Sequence, residues 1–463
     1  MATVVFMAVY FCKSLRPWSI LSIALFCVLD WDPFSVLAIG FWLSFLAVAL
    51  IIFTISGKQN NQSRLLRLVR VQWVLALGLL PVTLIYFQQA AWVSPLANFF
   101  AVPWVSFVVV PLVLLGSGLL VISEVLGAWV LQGASYSIDV FWWVLNYLHN
   151  IPYAKWSHST PNWALLPAAL GVVLLLAPKG WPSKQISLVL LSPLLFAQQI
   201  SPTDGALKLS ILDVGQGLAT VLETERHVLV YDTGPNYSES FNAGEAVIVP
   251  YLRDRGIDKV DMLIVSHTDK DHAGGLESVL TQLQVDRLVT STPQRFQHDD
   301  ASLCRQGVIW KWDGVHFEFL HPNDNIHKLS QNNRSCVLLI KHSAGSILIT
   351  GDIERPIERN LIEKHRNLLD TDVLVVPHHG SNSSSTKAFI QATSPQYAVF
   401  ATGYRNSYRF PNAKVVSRFE EFGTELVNTA SQGMITFEFS NQHGLQLHPG
   451  YRDQRNRFWH SRF

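Results

Sequence analysis

Residues 261–275 read Asp-Met-Leu-Ile-Val-Ser-His-Thr-Asp-Lys-Asp-His-Ala-Gly-Gly, and this stretch is the strongest indication of the fold of the second half of the chain. Its apolar run, Met262–Val265, is typical of a buried strand that ends at Ser266. Four potential metal ligands follow within six residues, namely His267, Asp269, Asp271 and His272. The loop at the carboxyl end of a strand is where open α/β sheets hold their functional groups, so we expect the chemistry of this chain there.

This loop contains enough ligand types for two metal ions. Side chains 267 and 269 alternate to one side of an extended turn, whereas the adjacent residues 271 and 272 can diverge to two sides. One short loop can therefore serve a binuclear centre. The alternative interpretation is a solvated polar turn with a helix cap, which explains any single one of these residues better than it explains all four.

The composition divides the chain into two parts. Of its 463 residues, 49% are hydrophobic and only 15% are charged, which is too apolar for an ordinary soluble enzyme and too long for one domain. Residues 1–200 contain only 13 of the 69 charged residues. We therefore predict a membrane domain over 1–200, a soluble domain over 201–450 and a basic, aromatic tail over 451–463. The formal net charge of +1 gives no general attraction to nucleic acid.

The first part predicts several membrane spans of unequal quality. Phe34–Ile55 has 22 residues without a charge, which is enough for one span. The basic residues of the loop at 57–72 predict that it lies on the cytoplasmic side. The other apolar segments are possible spans at 73–87, 101–121, 163–177 and 186–196, and interfacial or re-entrant pieces at 125–131 and 140–148.

Prolines interrupt several of these segments. A broken helix is tolerated at membrane depth where its backbone is buried in protein or lines a watery cavity. This pattern favours a polytopic channel or transporter over a simple anchor, and the alternative is a hydrophobic bundle with irregular helices. The sequence does not assign the soluble domain to either side of the membrane. The four cysteines, Cys12, Cys27, Cys304 and Cys336, show no Cys-x-x-Cys pair and indicate neither a disulfide scaffold nor a compartment.

Two later strands end in the same manner as the first. Ser346–Thr350 leads into Gly351-Asp352, and Val373–Val376 leads into Pro377-His378-His379-Gly380-Ser381. A carboxylate such as Asp352 is able to bridge two cations, and the glycines let the backbone approach a metal or phosphate closely. Three strand ends therefore supply candidate ligands.

The motif His267-x-Asp269-x-Asp271-His272, together with the two later strand ends, resembles the metallo-β-lactamase fold as it occurs in the ComEC family. Members of this family are the DNA-internalisation channels of natural competence. Further stretches in the style of the family are Asp232-Thr-Gly234, Asp213-Val-Gly-Gln-Gly217, Val249-Pro-Tyr-Leu-Arg253, Asn332-Asn-Arg-Ser-Cys-Val337 and the membrane segment Gly40–Val48. The resemblance covers most of the chain, in one order.

This resemblance implies a polytopic α-helical membrane domain, followed by an αββα metallo-β-lactamase domain, in the inner (cytoplasmic) membrane. It implies two divalent metal ions: His267 and Asp269 would hold one, Asp271 and His272 the second, Asp352 would bridge, and His378 or His379 would complete the second site. Asn332-Asn333 replaces a histidine of the usual fold, so Mn²⁺ is as suitable as Zn²⁺. Asp271 and Asp352 are the expected catalytic residues. Lys270 and Ser381 are expected phosphate contacts, with a solvent-facing lysine and a helix-capping serine as alternatives.

The implied function is DNA uptake in natural transformation, with a channel for single-stranded DNA and a metal-dependent phosphodiesterase or nuclease domain. Two bound ions can activate water for attack on phosphorus. The expected partners are DNA, the lipid bilayer and other DNA-uptake proteins. The alternatives are a membrane-anchored phosphodiesterase that transports nothing and a metal-free relic that binds DNA.

Three departures from the family pattern accompany the resemblance. Leu218 replaces an acidic residue that commonly follows the Asp213 motif, and Phe410 replaces the histidine of a His-Pro pair. A missing imidazole there removes a general acid or a phosphate contact. Family members usually begin with further membrane helices and a small β-barrel domain, so we expect Met1 to be an internal start, or the chain to be a truncated gene product or a divergent short form.

Overall fold

The computed structural model of the protein describes residues 16–55, 64–151, 154–157, 162–177, 184–195, 202, 205–239, 241–295, 301–323 and 328–454. Contacts within the chain divide it into two compact units, residues 1–198 and residues 199–463. Each unit is described by itself.

The described residues of the first unit are mainly helical. Two short strands, Gln89–Ala91 (β1) and Lys155–Ser157 (β2), pair antiparallel. Two stretches, Val69–Phe87 and Ser94–Leu120, are long and apolar enough to cross a membrane by length and composition. The α-helices are Pro17–Trp31, Ile39–Ile55, Arg64–Phe87, Ser94–Trp104, Val110–Leu120, Glu124–His149, Leu165–Leu176 and Lys184–Leu191.

Several boundaries in this unit differ from the sequence prediction. The expected span Phe34–Ile55 is divided, because a 3₁₀ turn at Pro33–Leu37 precedes the helix that begins at Ile39. The expected pieces at 125–131 and 140–148 belong to one helix, Glu124–His149, which contains no proline to break it. The basic loop is shorter than expected, since the next helix begins at Arg64. Residues 56–63 and 455–463 lie outside the described part of the chain.

Prolines lie inside two of the helices, as the sequence pattern suggested. Pro81 is within Arg64–Phe87, and Pro103 precedes a π-helical turn at Val105–Val109 that continues into the next helix. A proline removes one backbone donor, and a π-turn rearranges the neighbouring helical hydrogen bonds. The long apolar stretch Ser94–Leu120 is therefore not a uniform α-helix.

The second unit consists of short strands and helices. Its strands, in chain order, are Leu207–Ile211 (β3), Thr220–Glu223 (β4), Val228–Tyr231 (β5), Asn236–Ser238 (β6), Phe241–Asn242 (β7), Lys259–Val260 (β8), Met262–Val265 (β9), Gln284–Val285 (β10), Leu288–Thr290 (β11), Ala301–Leu303 (β12), Ile309–Trp312 (β13), Val315–His321 (β14), Val337–His342 (β15), Gly345–Ile349 (β16), Val373–Val375 (β17), Tyr397–Phe400 (β18), Glu425–Asn428 (β19), Ile435–Ser440 (β20) and Gly444–His448 (β21). Its helices are Val249–Asp254, Lys270–Ala273, Leu276–Gln282, Arg355–His365, Lys387–Thr393, Ala413–Glu421, Thr429–Gln432 and Tyr451–Gln454.

Fifteen of these strands form two large mixed sheets, and the pairs β6–β7 and β8–β10 form small two-stranded sheets. The strand order is β12-β11-β9-β5-β4-β3-β20-β21 in the first sheet and β13-β14-β15-β16-β17-β18-β19 in the second. One apolar core contains side chains of both sheets, a second joins the first sheet to helices Val249–Asp254 and Leu276–Gln282, and a third joins the second sheet to the later helices. The unit is therefore an αββα sandwich, as the resemblance implied.

Strand β9 shows why its sequence is continuously apolar. Met262 and Ile264 belong to the core between the sheets, whereas Leu263 and Val265 belong to the core beneath the helices. Successive side chains of a strand point to opposite faces, and both faces are covered here. The run must end at Ser266 because the chain there leaves the two cores and reaches the edge of the sheet.

Parallel pairing brings the functional strand ends to common edges. In the first sheet β9 pairs in parallel with β5 and β11. In the second sheet β17 pairs in parallel with β16 and β18. Because parallel strands end at the same edge of their sheet, the loops after β16, β17 and β18 lie side by side, and those after β5 and β9 do the same.

A disulfide joins Cys304 to Cys336, which the cysteine spacing did not indicate. Cys304 follows β12 of the first sheet and Cys336 precedes β15 of the second, so the bond connects the two sheets. Both residues are completely buried. Their separation of 32 residues corresponds to a loop-closure stabilisation of about 3–4 kcal/mol. A disulfide is typical of proteins in oxidising compartments, and the cysteine spacing alone carried no such indication.

Candidate metal centre

Four side chains from three different loops meet at the edge of the sandwich. The ligand atoms of Asp271, His272, Asp352 and His379 all lie within 4.8 Å of one another. Asp271 and His272 follow β9, Asp352 follows β16 and His379 follows β17. All but Asp271 are buried. The three strand ends identified in the sequence therefore converge.

A buried carboxylate orients His272. Its Nδ1 lies 2.7 Å from Asp232 Oδ2, so Nδ1 carries the proton that the carboxylate accepts. Its Nε2 then lies 3.0 Å from Asp352 Oδ1 and 3.1 Å from His379 Nε2. An imidazole that donates one ring proton to a carboxylate presents its other nitrogen as a ligand.

A backbone carbonyl orients His379 in the way that Asp232 orients His272, through the ring nitrogen Nδ1. Its Nδ1 lies 2.8 Å from the carbonyl oxygen of Ala401, and because a carbonyl only accepts, Nδ1 is the protonated nitrogen. The Nε2 atoms of His379 and His272 therefore face each other with their lone pairs, beside the Asp352 carboxylate. A proton or a cation must lie between these atoms, since two acceptors and an anion otherwise repel one another.

The buried Nε2 atom of His267 makes no hydrogen bond. The hydroxyl protons of its two neighbours are committed elsewhere, because Ser266 donates to Asp232 and Ser335 donates to the Asn332 carbonyl. Both hydroxyls must therefore accept from His267 Nδ1, at 3.0 and 3.3 Å. His267 Nε2 keeps its lone pair and makes no hydrogen bond, although it is buried. Such an atom fits a metal ligand.

The electrostatics of the centre favour bound positive charge. Burial raises the pKa of Asp352, but the charges of His272 and His379 outweigh burial, and the pKa lies well below its ordinary value. Burial also raises the pKa of Asp271, yet its contact with His379 Nε2, at 3.4 Å, and the charge of His272 lower it to about 2. Burial lowers the pKa of His272, while Asp352 and Asp232 raise it well above its ordinary value. The ionised carboxylates thus retain a proton on imidazole when no cation is bound.

The remaining predicted ligands lie around this cluster. His267 Nε2 is 3.4 Å from Asp269 Oδ2, and the Asp269 side chain is 40% exposed. Of the two adjacent histidines, His379 belongs to the cluster, whereas His378 Nε2 lies 3.8 Å from Asp352 Oδ2. Carboxylate oxygens and imidazole nitrogens are ligands for divalent cations such as Mn²⁺ and Zn²⁺. The residues present fit a divalent cation at the four-residue cluster, and His267 and Asp269 form a further pair of potential ligands in the loop after β9.

The turn that carries the two histidines is conformationally strained. His378 and His379 have φ values of 51° and 54°, in the left-handed region that costs a non-glycine residue about 1–2 kcal/mol. Gly351, beside Asp352, has a φ of 54°, and a Cβ there would lie 2.7 Å from the Cβ of Ser335. Strain of this kind concentrates at functional sites, where the surrounding structure holds it in place.

The structure also places the two predicted phosphate contacts. Lys270 is exposed at the start of the helix Lys270–Ala273. Ser381 Oγ accepts a hydrogen bond from the backbone N–H of Ser383, so it stabilises the histidine turn. The following helix is capped instead by Thr386, whose hydroxyl accepts from Phe389 N–H. The capping alternative for Ser381 was therefore wrong.

Sequence reasoning did not assign the orienting residues. Asp232 entered the sequence analysis only as part of the family-like stretch Asp232-Thr-Gly234, but it is completely buried and bonds to both His272 and Ser266. The available signal was its position directly after the apolar strand β5, in the same manner as the ligands after β9. Ser266 and Ser335 gave no such signal, because their role depends on contacts across the fold.

The departures from the family pattern occupy distinct positions. Leu218 is buried in the core between the sheets, and its N–H donates to the backbone carbonyl of Asp271 at 3.1 Å. The Phe410 ring lies against the His378 ring, with 5.9 Å between centroids. Asn333 donates to Ser330 and Glu354 and so braces the loop.

Comparison with known proteins assigns both units. A family model described as "Competence protein" matches residues 1–182, and one described as "Metallo-beta-lactamase superfamily" matches residues 212–404. Among solved structures, Tm1679, a metal-dependent hydrolase of the β-lactamase superfamily, is 14% identical, covers 49% of this chain and 98% of its own, and has a TM-score of 0.34.

Curated relatives extend over nearly the whole chain. Competence protein ComA of Neisseria gonorrhoeae is 32% identical over 424 residues, which cover 91% of this chain and 59% of ComA. ComE operon protein 3 of Bacillus subtilis is 27% identical over 484 residues, which cover 96% of this chain and 62% of that protein. The chain spans about three fifths of the length of these relatives. Because both domains occur in the same order and these relatives align across them, the chain belongs to the ComEC family of competence proteins.

Proposed function

We propose that this protein takes part in DNA uptake during natural transformation. In this proposal the helical unit forms a channel for one strand of incoming DNA in the inner membrane, and the sandwich is a metal-dependent phosphodiesterase or nuclease. The observation that carries the enzymatic part is the pair of facing imidazole nitrogens beside Asp352, 3.1 Å apart. Such an arrangement is stable only around a proton or a cation.

The residues of the chain have separate roles in this proposal. Asp271, His272, Asp352 and His379 would hold one cation, and His267 and Asp269 would hold the other with Asp352. Bound divalent cations supply Lewis acidity toward a phosphodiester and activate water near neutral pH. Asp232 and the Ala401 carbonyl keep the proton of each imidazole on Nδ1, away from the centre. Lys270 is exposed beside the ligands and remains a candidate phosphate contact.

Membrane insertion of the helical unit is supported by its exposed apolar side chains. Phe107 is 80% exposed and Ile122 is 81% exposed. Large apolar surfaces are unfavourable in water and favourable in hydrocarbon, so this unit suits a lipid environment. The prolines inside the helices, Pro81 and Pro103, and the π-turn at Val105–Val109 support a channel over a plain anchor, because the backbone groups that they leave unpaired need protein or water as partners.

We expect the purified sandwich, residues 205–463, to cleave DNA when Mn²⁺ or Zn²⁺ is supplied. Asp352→Asn and His272→Ala should each lower the rate at least about 100-fold, since each removes a ligand and leaves its partners unmatched. Asp370→Asn, at an exposed position away from the centre, is the matched control and should cleave like the parent. Intact DNA with metal-loaded parent would instead support the metal-free relic.

Metal affinity should increase with pH. The pKa of His272 is raised by Asp352 and Asp232, against the effect of burial, so a cation must displace its proton. Affinity should therefore rise up to about tenfold per pH unit below that pKa, with proton release on binding. Competition titration with a metal chelator at several pH values measures this. Asp232→Asn should weaken binding by about 10- to 100-fold. A pH-independent affinity would contradict the assigned protonation.

The channel part is tested by transformation of the source organism. Deletion of the gene should abolish uptake of transforming DNA, and the full chain supplied in trans should restore it. Residues 205–463 alone should not restore it, because the proposed path for the strand lies in the helical unit. Transformation that survives the deletion, or that returns with the sandwich alone, would favour the phosphodiesterase without transport.

We propose that the sandwich lies on the oxidising outer side of the membrane, and the disulfide between Cys304 and Cys336 supports this side. When cells are lysed in denaturant together with a maleimide, Cys304 and Cys336 should be labelled only if a reductant is added first. Denaturation during labelling gives access to these buried thiols. Labelling without reduction would mean that the cysteines are unpaired and that the sandwich lies in a reducing compartment.

A further inference from the structure

A loop beside the metal centre combines exposed aromatic rings with arginines. It follows β18 and includes Tyr404, Arg405, Tyr408, Arg409 and Phe410, which we name the aromatic–arginine loop. Tyr404 is 45% exposed and Tyr408 is 66% exposed. These exposed rings contribute little to the core of the sandwich, and a group of such rings at the surface is typical of an interaction site.

The side chain of Asn406 holds this loop in a defined shape. Its Nδ2 donates to the carbonyl oxygens of Gly403 and Phe410, at 2.9 and 2.7 Å. Its Oδ1 accepts from the Phe410 N–H at 2.9 Å. Arg405 and Arg409 adopt φ values of 50° and 57°, which are unfavourable for arginine. The loop is therefore preorganised, and less conformational entropy is lost when a ligand binds.

The loop forms one wall of a cavity of about 650 Å³. The other residues around it are Thr402, Gly403, Asn428, Ala430 and Ser431. None of the described residues that line this cavity is acidic, whereas Arg405 and Arg409 are basic. The cavity therefore attracts an anion, and the neutral hydroxyl and amide groups can accept or donate further hydrogen bonds.

This cavity shares a wall with the metal centre. The Phe410 ring lies 5.9 Å from the His378 ring, between centroids. The Ala401 carbonyl, three residues before the loop, accepts from His379 Nδ1. Asn412, just after the loop, donates its N–H to the Gly380 carbonyl at 3.0 Å. One short segment thus contacts both the ligand turn and the cavity.

The chemistry of the loop fits a single strand of nucleic acid. Tyr408 and Phe410 stack on each other at 5.6 Å, and the Arg405 guanidinium lies over the Tyr404 ring at 5.1 Å. Aromatic rings stack with unpaired bases, and arginines contact the phosphates between them. A duplex keeps both faces of its bases covered, so it cannot use such rings.

We propose that the aromatic–arginine loop is a binding subsite for single-stranded DNA, which holds the nucleotides next to the phosphodiester at the metal centre. This inference rests on the proposed nuclease function for its biological substrate. The Tyr404 and Tyr408 rings contact bases, and Arg405 and Arg409 contact phosphates. Phe410 separates the two parts of the site and packs against His378.

Binding is measured on the full chain in detergent, with a fluorescent thymidine oligonucleotide and with EDTA to prevent cleavage. Tyr408→Ala should weaken binding about 5- to 100-fold, because one base loses its stacking partner. Tyr408→Trp should bind like the parent. Arg409→Ala should weaken binding and reduce the salt dependence of log K by about 0.7, the value for one phosphate contact. Arg359→Ala, an exposed arginine on another face, is the control.

A photoreactive oligonucleotide that carries 5-iodouracil tests contact directly, since it crosslinks to aromatic side chains that it touches. The crosslinked peptide should contain residues 404–410. Crosslinks confined to other segments, or Tyr408→Ala and Arg409→Ala variants that bind single strands like the parent, would overturn the subsite even if the nuclease is active. Conversely, retained binding and crosslinking by an inactive Asp352→Asn variant would support the subsite independently of catalysis.

Discussion

Two imidazole nitrogens face each other 3.1 Å apart in the sandwich, with a buried carboxylate oxygen 3.0 Å from one of them. This contact between His272, His379 and Asp352 depends on how the opposite nitrogens are held. Asp232 and the Ala401 carbonyl accept the Nδ1 protons, so neither ring can rotate its lone pair away without losing a hydrogen bond. The centre therefore requires a proton or a cation, and the rest of the sandwich holds the two rings in the positions that create this need.

The two sheets supply different parts of this arrangement. The first sheet provides Asp232 and His272, and the second provides Asp352 and His379, so the centre exists only when the sheets are packed together. The disulfide between Cys304 and Cys336 crosses the same interface and adds to its stability. The left-handed conformations at His378 and His379 are unfavourable, and the packing of the two sheets offsets their energy. The shared core fixes the strand ends that flank this turn.

The helical unit obeys a different constraint. Its outward side chains include large apolar groups, and its long apolar stretch Ser94–Leu120 contains a proline and a π-turn. The exposed apolar groups are unfavourable in water, and the proline and the π-turn are acceptable in a membrane protein where the backbone groups that they free contact protein or a watery path. The chain therefore combines a strongly apolar helical unit, for which we propose a membrane environment, with a sandwich whose candidate metal centre contains buried charge.

The two-part organisation, the apolar strands of the sandwich and the strand-end positions of the candidate ligands follow from the sequence alone, because they depend on local periodicity and residue type. It did not determine helix boundaries such as Glu124–His149, since short apolar runs separated by polar residues are compatible with one helix or two. The tertiary structure was needed to show that His379, and not His378, joins the cluster of Asp271, His272 and Asp352, and that Asp232 orients His272. Those choices depend on side chains brought together from strands far apart in the chain, and no local pattern specifies which of two adjacent histidines a left-handed turn directs inward.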